Sequence, residues 1–451
     1  MEEKTFNTEK LVPTYLGQAL PLVFSMVVTL VYNLADTYFI AQTNNAPLVA
    51  GVSICAPVFT VLMAFGNVYA QGGSSLISRL LGQKDKESVR RVSSFCFYLA
   101  ILTGIVLAVS MLVFQRPILT LMGASADTLP YAQEYYSVMA VGAPLVVASF
   151  IHSNLLRCEG FAGLSMVGTV AGSVVNIILD PIFISVLGWG AGGAAFATLI
   201  GYLFSILFFL ATVLRKSNVL SINIRHWKIT GSEIGQILSV GITAAATNLA
   251  TSVTVVVMNQ FLLPYGDEKI AALGIVLKIN MIAQMLLVGF SFGAVPLFGY
   301  LYGAKDFKKL KQLLRFCLLF LCSMALVMTA ALFLAAPHLM KFFIDDSNIV
   351  ADGTVMLQWQ AAGSVFAGIV LLLTCVFQAT GKALPALLLS LSRQGVLFLA
   401  ILAITVLVAG YQGFLVSQAT ADLCSAGLAL ALYWAAFRKE RLVLKNTASA
   451  H

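Results

Sequence analysis

Charge is what this chain lacks. Only 10% of its 451 residues are Asp, Glu, Lys or Arg, whereas 59% are apolar. A soluble globular protein carries roughly 25% charged residues. Too little polar side chain is present to cover a water-facing surface, and a soluble chain of this length would need several cores, each with a polar skin. Alternating polarity is missing as well. A membrane β-barrel shows runs of roughly 10 residues alternating apolar with polar, but here Ile101–Phe114, Val365–Phe377 and Val396–Ala409 are long uncharged apolar runs. Every backbone group in lipid must be satisfied internally, so a helix bundle remains. The chain reads as an all-α integral membrane protein.

Other absences narrow the function. The seven cysteines, Cys55, Cys96, Cys158, Cys317, Cys322, Cys375 and Cys424, form no CxxC pair and have no neighbouring His, so they read as small buried hydrophobes. His152, His226 and His338 are isolated and fit no metal spacing. Nucleophile-elbow, phosphate-loop and HExxH patterns are absent. Paired Asp-rich motifs of an intramembrane transferase are missing too. We therefore expect no enzyme activity and no cofactor. Met1–Lys10 is polar, with no cleavable signal pattern, so the first apolar run is expected to be a permanent span.

With about 20 residues per span, twelve transmembrane helices are expected, at 14–40, 48–70, 94–114, 134–156, 166–187, 193–213, 235–262, 270–297, 314–335, 356–378, 384–409 and 413–436. Pro21, Pro57 and Pro144 are expected to bend their helices. Basic residues crowd alternate connections. Arg79, Lys84, Lys86, Arg90 and Arg91 follow span two, and Arg215, Lys216, Arg225 and Lys228 follow span six. Lys305, Lys308, Lys309, Lys311 and Arg315 follow span eight, and Arg438, Lys439, Arg441 and Lys445 make the tail. The connections on the opposite side hold only Arg116, Lys269 and Lys341. The basic loops are expected in the cytoplasm, with both termini inside, in a membrane taken to be a bacterial inner membrane. The net charge of +8 is thus a topology signal, and no nucleic-acid partner is expected.

The halves echo each other. Gly82-Gln83-Lys84-Asp85 returns as Gly303-Ala304-Lys305-Asp306, Glu159-Gly160-Phe161-Ala162 as Thr380-Gly381-Lys382-Ala383, and Pro117 and Ser125 as Pro337 and Ser347, offset by about 221 residues. Two pseudo-symmetric six-helix lobes around a central cleft follow, related by an axis along the membrane normal. The expected division is an N-lobe over 1–215, a cytoplasmic linker over 216–230, a C-lobe over 231–437 and a tail over 438–451.

Ionisable residues within spans are expensive, roughly 2.5–3.5 kcal/mol each on insertion scales, and mark function. They are Asp36, Asp180, Lys278, Arg393 and Asp422. Tyr32, Asn33 and Asp36 share one helix face, as do Asn176 and Asp180; Pro181 disturbs the helix just beyond. Thr198 enters early in span six. Were spans one, five and six to converge, two carboxylates, an amide and a hydroxyl would offer hard oxygen donors for a small alkali cation such as Na+, or for a proton. Two carboxylates in one low-dielectric pocket cannot both stay ionised cheaply, which suits proton carriage. Alternatively, Asn176 and Thr198 only tie helices together. Lys278 and Asp422 either neutralise each other or take part in transport, and Arg393 is expected to snorkel to the cytoplasmic face.

These residues resemble the multidrug and toxic compound extrusion (MATE) transporters. The likeness rests on the twelve spans in two halves and on Ser78-Arg79-Leu80-Leu81-Gly82-Gln83-Lys84-Asp85. Its other supports are the second-half counterpart running from Pro296 to Asp306 and the string Asn176-Ile177-Ile178-Leu179-Asp180-Pro181. The resemblance implies an antiporter that expels amphipathic, mostly cationic compounds against inward H+ or Na+. It implies a cation site at Asp36, Asn176, Asp180 and Thr198, with Pro21 and Tyr32 tied to bending of the first helix. Gly241–Leu263 and Met356–Phe377 hold no Asp or Glu, unlike members with acids in spans seven and ten, so the first lobe is the expected coupling site. A monomer among membrane lipids is expected. A flippase for a lipid-linked or other amphipathic metabolite is the alternative, although it calls for a basic cavity.

Overall fold

The computed structural model describes residues 6–438 and 440 of the chain. Among them the regular structure is helical: α1 (Leu11–Ala41), α2 (Ala46–Ile54), α3 (Ala56–Gly82), α4 (Lys86–Val113), α5 (Gln115–Leu121), α6 (Leu129–Val141), α7 (Ala143–Cys158), α8 (Ala162–Pro181), α9 (Gly190–Lys216), α10 (Gly231–Leu262), α11 (Asp267–Gly293), α12 (Val295–Gly303), α13 (Phe307–Phe343), α14 (Ser347–Ala362), α15 (Ser364–Ala379), α16 (Ala383–Gln394) and α17 (Val396–Ala436). Among the described residues nine stretches are long and apolar enough to cross a membrane, or eleven when each bent pair counts as one span. Large apolar side chains face outward, Leu121, Leu407 and Val408 among them. That is what a chain solvated by lipid requires.

The last stretch, Ala383–Ala436, holds two expected spans. Gly410 (φ 56°, ψ −131°) breaks the helical path inside α17. A Cβ on Gly413 would lie 1.8 Å from the Thr405 carbonyl oxygen, so the chain doubles back there and only glycine fits. Breaks also stand two residues before Pro57 and Pro144, at Cys55 and Gly142; α6 and α7 are bent by 52°. Proline removes an N–H and crowds the carbonyl four residues earlier. The 45° bend between α14 and α15 has no proline and sits at Gly363. Around Pro21, by contrast, α1 runs on as one helix.

The repeat is visible in backbone geometry. Lys84 and Lys305 are left-handed (φ 62° and 58°). Asp85 N bonds Leu80 O and Asp306 N bonds Leu301 O, both at 3.0 Å. Asp85 then caps α4 by accepting from Ser88 N, and Asp306 caps α13 by accepting from Lys309 N, again at 3.0 Å. Gly160 and Gly381 (φ 91° and 75°) close the next pair of turns.

By packing, the chain forms two units. The first is Leu20–Gly241 with Phe6; the second is Asn7–Ala19 with the chain from Ile242 onward. In the first, the start of α10 lies on α3, where Gly72 would place a Cβ 2.1 Å from Ile237 O. The segment 217–222 is strapped to the same unit: Glu159 accepts from Ser217 Oγ and Asn218 N, Ser94 Oγ donates to Ser221 O at 2.9 Å, and Tyr98 OH to Ile222 O at 2.7 Å. In the second unit a core runs from Met258 and Leu273 through Met356 and Leu357 to Phe398 and Leu415. Tyr15 OH donates to Phe290 O at 3.1 Å, anchoring the first turns of α1 there. The basic tail residues Lys439, Arg441 and Lys445 lie outside the described residues.

Candidate functional site

The site of the first unit grows from a close helix crossing. A Cβ on Gly172 would meet Gly201 O at 2.6 Å, and one on Gly201 would meet Gly172 O at 2.7 Å, so α8 and α9 approach backbone to backbone. One turn beyond that contact on α8, and one turn before it on α9, stand Asn176 and Thr198. Asn176 Nδ2 lies 3.3 Å from both Asp180 Oδ1 and Thr198 Oγ1. Turned end for end, the amide satisfies both of its ends: Nδ2 donates to Asp180 Oδ2 at 3.2 Å, and Oδ1 accepts from Thr198 Oγ1 and N at 3.3 and 3.1 Å. Asp180, Asn176 and Thr198 are 0%, 2% and 6% exposed. Asn176 therefore supports one carboxylate oxygen of Asp180 and fixes its side chain between two helices. Pro181 ends α8, and a π turn over Ile182–Val186 follows.

Asp36 comes from the C-terminal part of α1. It is half-buried, its Oδ1 is buried without a hydrogen-bond partner, and it lies within electrostatic reach of Asp180. A buried carboxylate oxygen without a donor is costly and is what a cation or proton would satisfy. Tyr32, one turn earlier, lines the same cavity as Tyr202. Asn33 is more exposed. Both line a cavity of ≈170 Å³ together with Asn176, Thr198, Phe59, Met63, Phe150 and Tyr202. So Asp36, Tyr32, Asn33, Asn176, Asp180 and Thr198 gather in one region of the first unit. Pro21 does not line this cavity; its carbonyl accepts from Ser25 Oγ at 2.9 Å.

Several lining residues escape a charge-based reading. Thr169, Gly172 and Ser173 on α8, and Gly201, Tyr202 and Ser205 on α9, face the cavity. The signal for them is a stripe of small and hydroxylated residues at spacings of three and four along otherwise apolar spans.

The second unit corrects two expectations. Asp422 does not pair with Lys278, which is exposed on α11. It pairs with Arg393, Nε to Oδ1 at 3.0 Å. Nor does Arg393 reach along the helix to the cytoplasmic face. Its side chain is 14% exposed, and Nη2 donates to Gln284 Oε1 at 3.4 Å. The reason is local: Arg393 closes α16 just before the break at Gly395, facing α17 where Asp422 sits.

Known proteins give the same outline. A family profile described as MatE matches residues 21–182 and 243–405. The chain is 31% identical over 412 residues to a multidrug export protein MepA of Staphylococcus haemolyticus (strain JCSC1435), covering 91% of each chain. It is also 31% identical over 416 residues to the protein of that name from Staphylococcus aureus (strain NCTC 8325 / PS 47), covering 92% of each. A crystal structure of a MATE protein in the bent conformation superposes with a TM-score of 0.90 at 25% identity, over 97% of each chain.

Proposed function

The chain belongs to the MatE family of multi-pass membrane proteins, and on that premise we propose that it is a secondary multidrug exporter. It exchanges amphipathic, mostly cationic compounds for inward H+ or Na+ by alternating access. The coupling ion binds in the first unit at Asp36 and Asp180, with Asn176 and Thr198 orienting the acids, and the adjoining cavity receives the drug. The observation that carries this reading is the orphaned Asp36 Oδ1 beside the buried Asn176–Asp180–Thr198 cluster. Support for the substrate class comes from the aromatic and hydroxylated cavity wall, since Tyr and Phe faces attract organic cations and a pliant Met63 tolerates varied shapes. The names of the staphylococcal relatives point the same way.

Ion and drug must prefer opposite states or compete for one carboxylate, because a ligand shifts a conformational equilibrium only through differential affinity. Each net charge moved inward per cycle supplies about 2.3 kcal/mol per 100 mV, enough for a drug gradient of roughly fifty-fold. Tyr32 and Pro21 belong to this reading as the positions from which ion occupancy bends α1. The protein works as a monomer in a bacterial inner membrane, with both termini cytoplasmic.

The test is ethidium efflux from proteoliposomes. Asp36→Asn and Asp180→Asn are each expected to lower efflux at least about tenfold, the scale of 1.4 kcal/mol or more in coupling, while the protein remains monodisperse. Normal export by both variants overturns the site. Imposing a sodium gradient at fixed pH, and then a proton gradient without sodium, identifies the ion.

A further inference from the structure

The two units can be compared position by position. The offset of about 221 residues that relates Gly160 to Gly381 also relates the start of α8, Ala162, to the start of α16, Ala383. Near the far end it relates Lys216, the last residue of α9, to Phe437, which caps α17. The register therefore holds along this helix pair, and it sets Gly172 against Arg393 and Gly201 against Asp422. Where the first unit crosses two helices on bare glycine, the second has an acid and a guanidinium 3.0 Å apart.

The surroundings of that pair are built for it. Asp422 is 2% exposed. Its second oxygen accepts from Gln418 Nε2 at 3.4 Å, and Arg393 Nη2 donates to Gln284 Oε1 at 3.4 Å. The α14–α15 bend leaves room through Gly363, where a Cβ would lie 2.8 Å from Asp422 Oδ2. Thr254 Oγ1 takes up the Gln394 carbonyl beside the Gly395 break at 2.7 Å. Asp422 thus meets α16 through Arg393, its own helix through Gln418 and the α14–α15 bend at Gly363, and its counter-charge is covalently part of the chain. In the first unit Asp36 has a buried oxygen with no donor at all.

We propose that Arg393 is a tethered cation: its guanidinium permanently fills, at Asp422, the role that an exchangeable ion has at the acids of the first unit, so the second unit takes up no coupling ion. This rests on the coupling role given above to Asp36 and Asp180, and it assigns Arg393 a task none of the comparisons gives it. It also explains why an acid persists in an apolar span of a unit that does not couple. A charge pair internal to the unit adds no net charge to the transport cycle, and only the first unit's acids remain to exchange.

The experiment uses the full chain in proteoliposomes with ethidium as the exported probe. Arg393→Ala uncovers Asp422 and is expected to slow efflux at least about tenfold, since removing one partner of a buried pair strands the other charge. Guanidinium chloride at tens of millimolar should restore much of that loss, whereas tetramethylammonium chloride at equal ionic strength should not. Arg393→Ala combined with Asp422→Asn removes both charges; it should export close to the wild-type rate and ignore guanidinium, and Arg393→Lys should retain part of the activity. Thermal melting in detergent tracks folding, and if Arg393→Ala alone does not fold, the double variant still decides. An inactive but folded double variant overturns the proposal, because the pair would then act directly in transport. Full activity of Arg393→Ala without guanidinium overturns it equally. Asp36→Asn assayed in the same vesicles separates the two ideas: normal efflux there sinks the coupling reading, whatever the Arg393 variants do.

Discussion

In the unit of Leu20–Gly241, α8 and α9 meet glycine to glycine; in the unit from Ile242 onward, the corresponding helices meet through Arg393 and Asp422. A second set of matched positions differs in the same sense. Lys269 Nζ binds Asp352 Oδ2 at 2.6 Å and Tyr411 OH donates to Asp352 Oδ1 at 3.2 Å in the second unit. At the offset positions of the first unit, Leu48 abuts Gly190, and Tyr131 accepts from Asn45 at 3.0 Å. At these matched positions the second unit joins its helices with closed charge pairs, and the first joins them by close approach, while its Asp36 keeps a carboxylate oxygen open. On the coupling role proposed above, copies of one plan divide the work: one closes its acid with its own arginine, and the other keeps an acid for exchange. The lysine–aspartate turns did not diverge. Lys84 and Lys305, Asp85 and Asp306 keep one geometry in both.

The comparison breaks most readily at the glycine crossing. Gly201→Ala pushes a methyl to 2.7 Å from a backbone oxygen that cannot swing away. A cost of about 1–3 kcal/mol is expected from such overpacking, with loss of ethidium efflux, because the crossing sets the Asn176–Thr198 contact. The matched control in the second unit is Gly427→Ala, where a Cβ meets nothing within 4 Å. It should leave efflux unchanged and raise the melting temperature slightly, as alanine favours helix by up to about 1 kcal/mol. Equal effects of the two substitutions would refute the claimed asymmetry.

The conserved turns should respond alike. Asp85→Ala and Asp306→Ala each remove a helix cap and should each cost about 1 kcal/mol of stability. Asp85 is held below the usual carboxylate range chiefly by hydrogen bonds from Ser88 to its charged form. Its folded value is depressed, so its contribution is full at neutral pH and fades as pH falls below about 4. Melting temperatures of the wild type and the Asp85 variant should therefore converge in acid. The smallest effect is expected from Lys84→Gly and Lys305→Gly. Relieving a left-handed lysine should stabilise each turn by a few tenths to about 1 kcal/mol, and a difference in sign between the two would show that the turns are not equivalent.

Much of this was legible in the sequence, for identifiable reasons. Spans follow from hydropathy, and the repeat from Gly82–Asp85 and Gly303–Asp306, because a left-handed turn with an aspartate cap tolerates little change. Asn176 and Asp180 fall on one face by helical spacing, and the structure brings Thr198 to them. Partnership across helices was not legible. Arg393 and Asp422 are separated by a chain reversal at Gly410, and periodicity says which face a residue occupies, not which face it meets. The glycine crossing hid for the opposite reason, since a residue without a side chain leaves no polarity signal. The 45° bend at Gly363 had no proline to announce it.

The π turn after Pro181 has a mechanical consequence. Leu187 N reaches back five residues to Ile182 O at 2.8 Å, and Trp189 N bonds Phe183 O at 2.9 Å. Such a wide turn stores one residue more than an α turn needs, so the segment can lengthen or shorten by a step of about 1.5 Å while its backbone bonds re-form with new partners. Asp180 stands at the root of this spare loop of chain, and the turn at Leu187–Trp189 that leads into α9 hangs from its other end. Slack of this kind lets the carboxylate shift without dragging the rim of the molecule along.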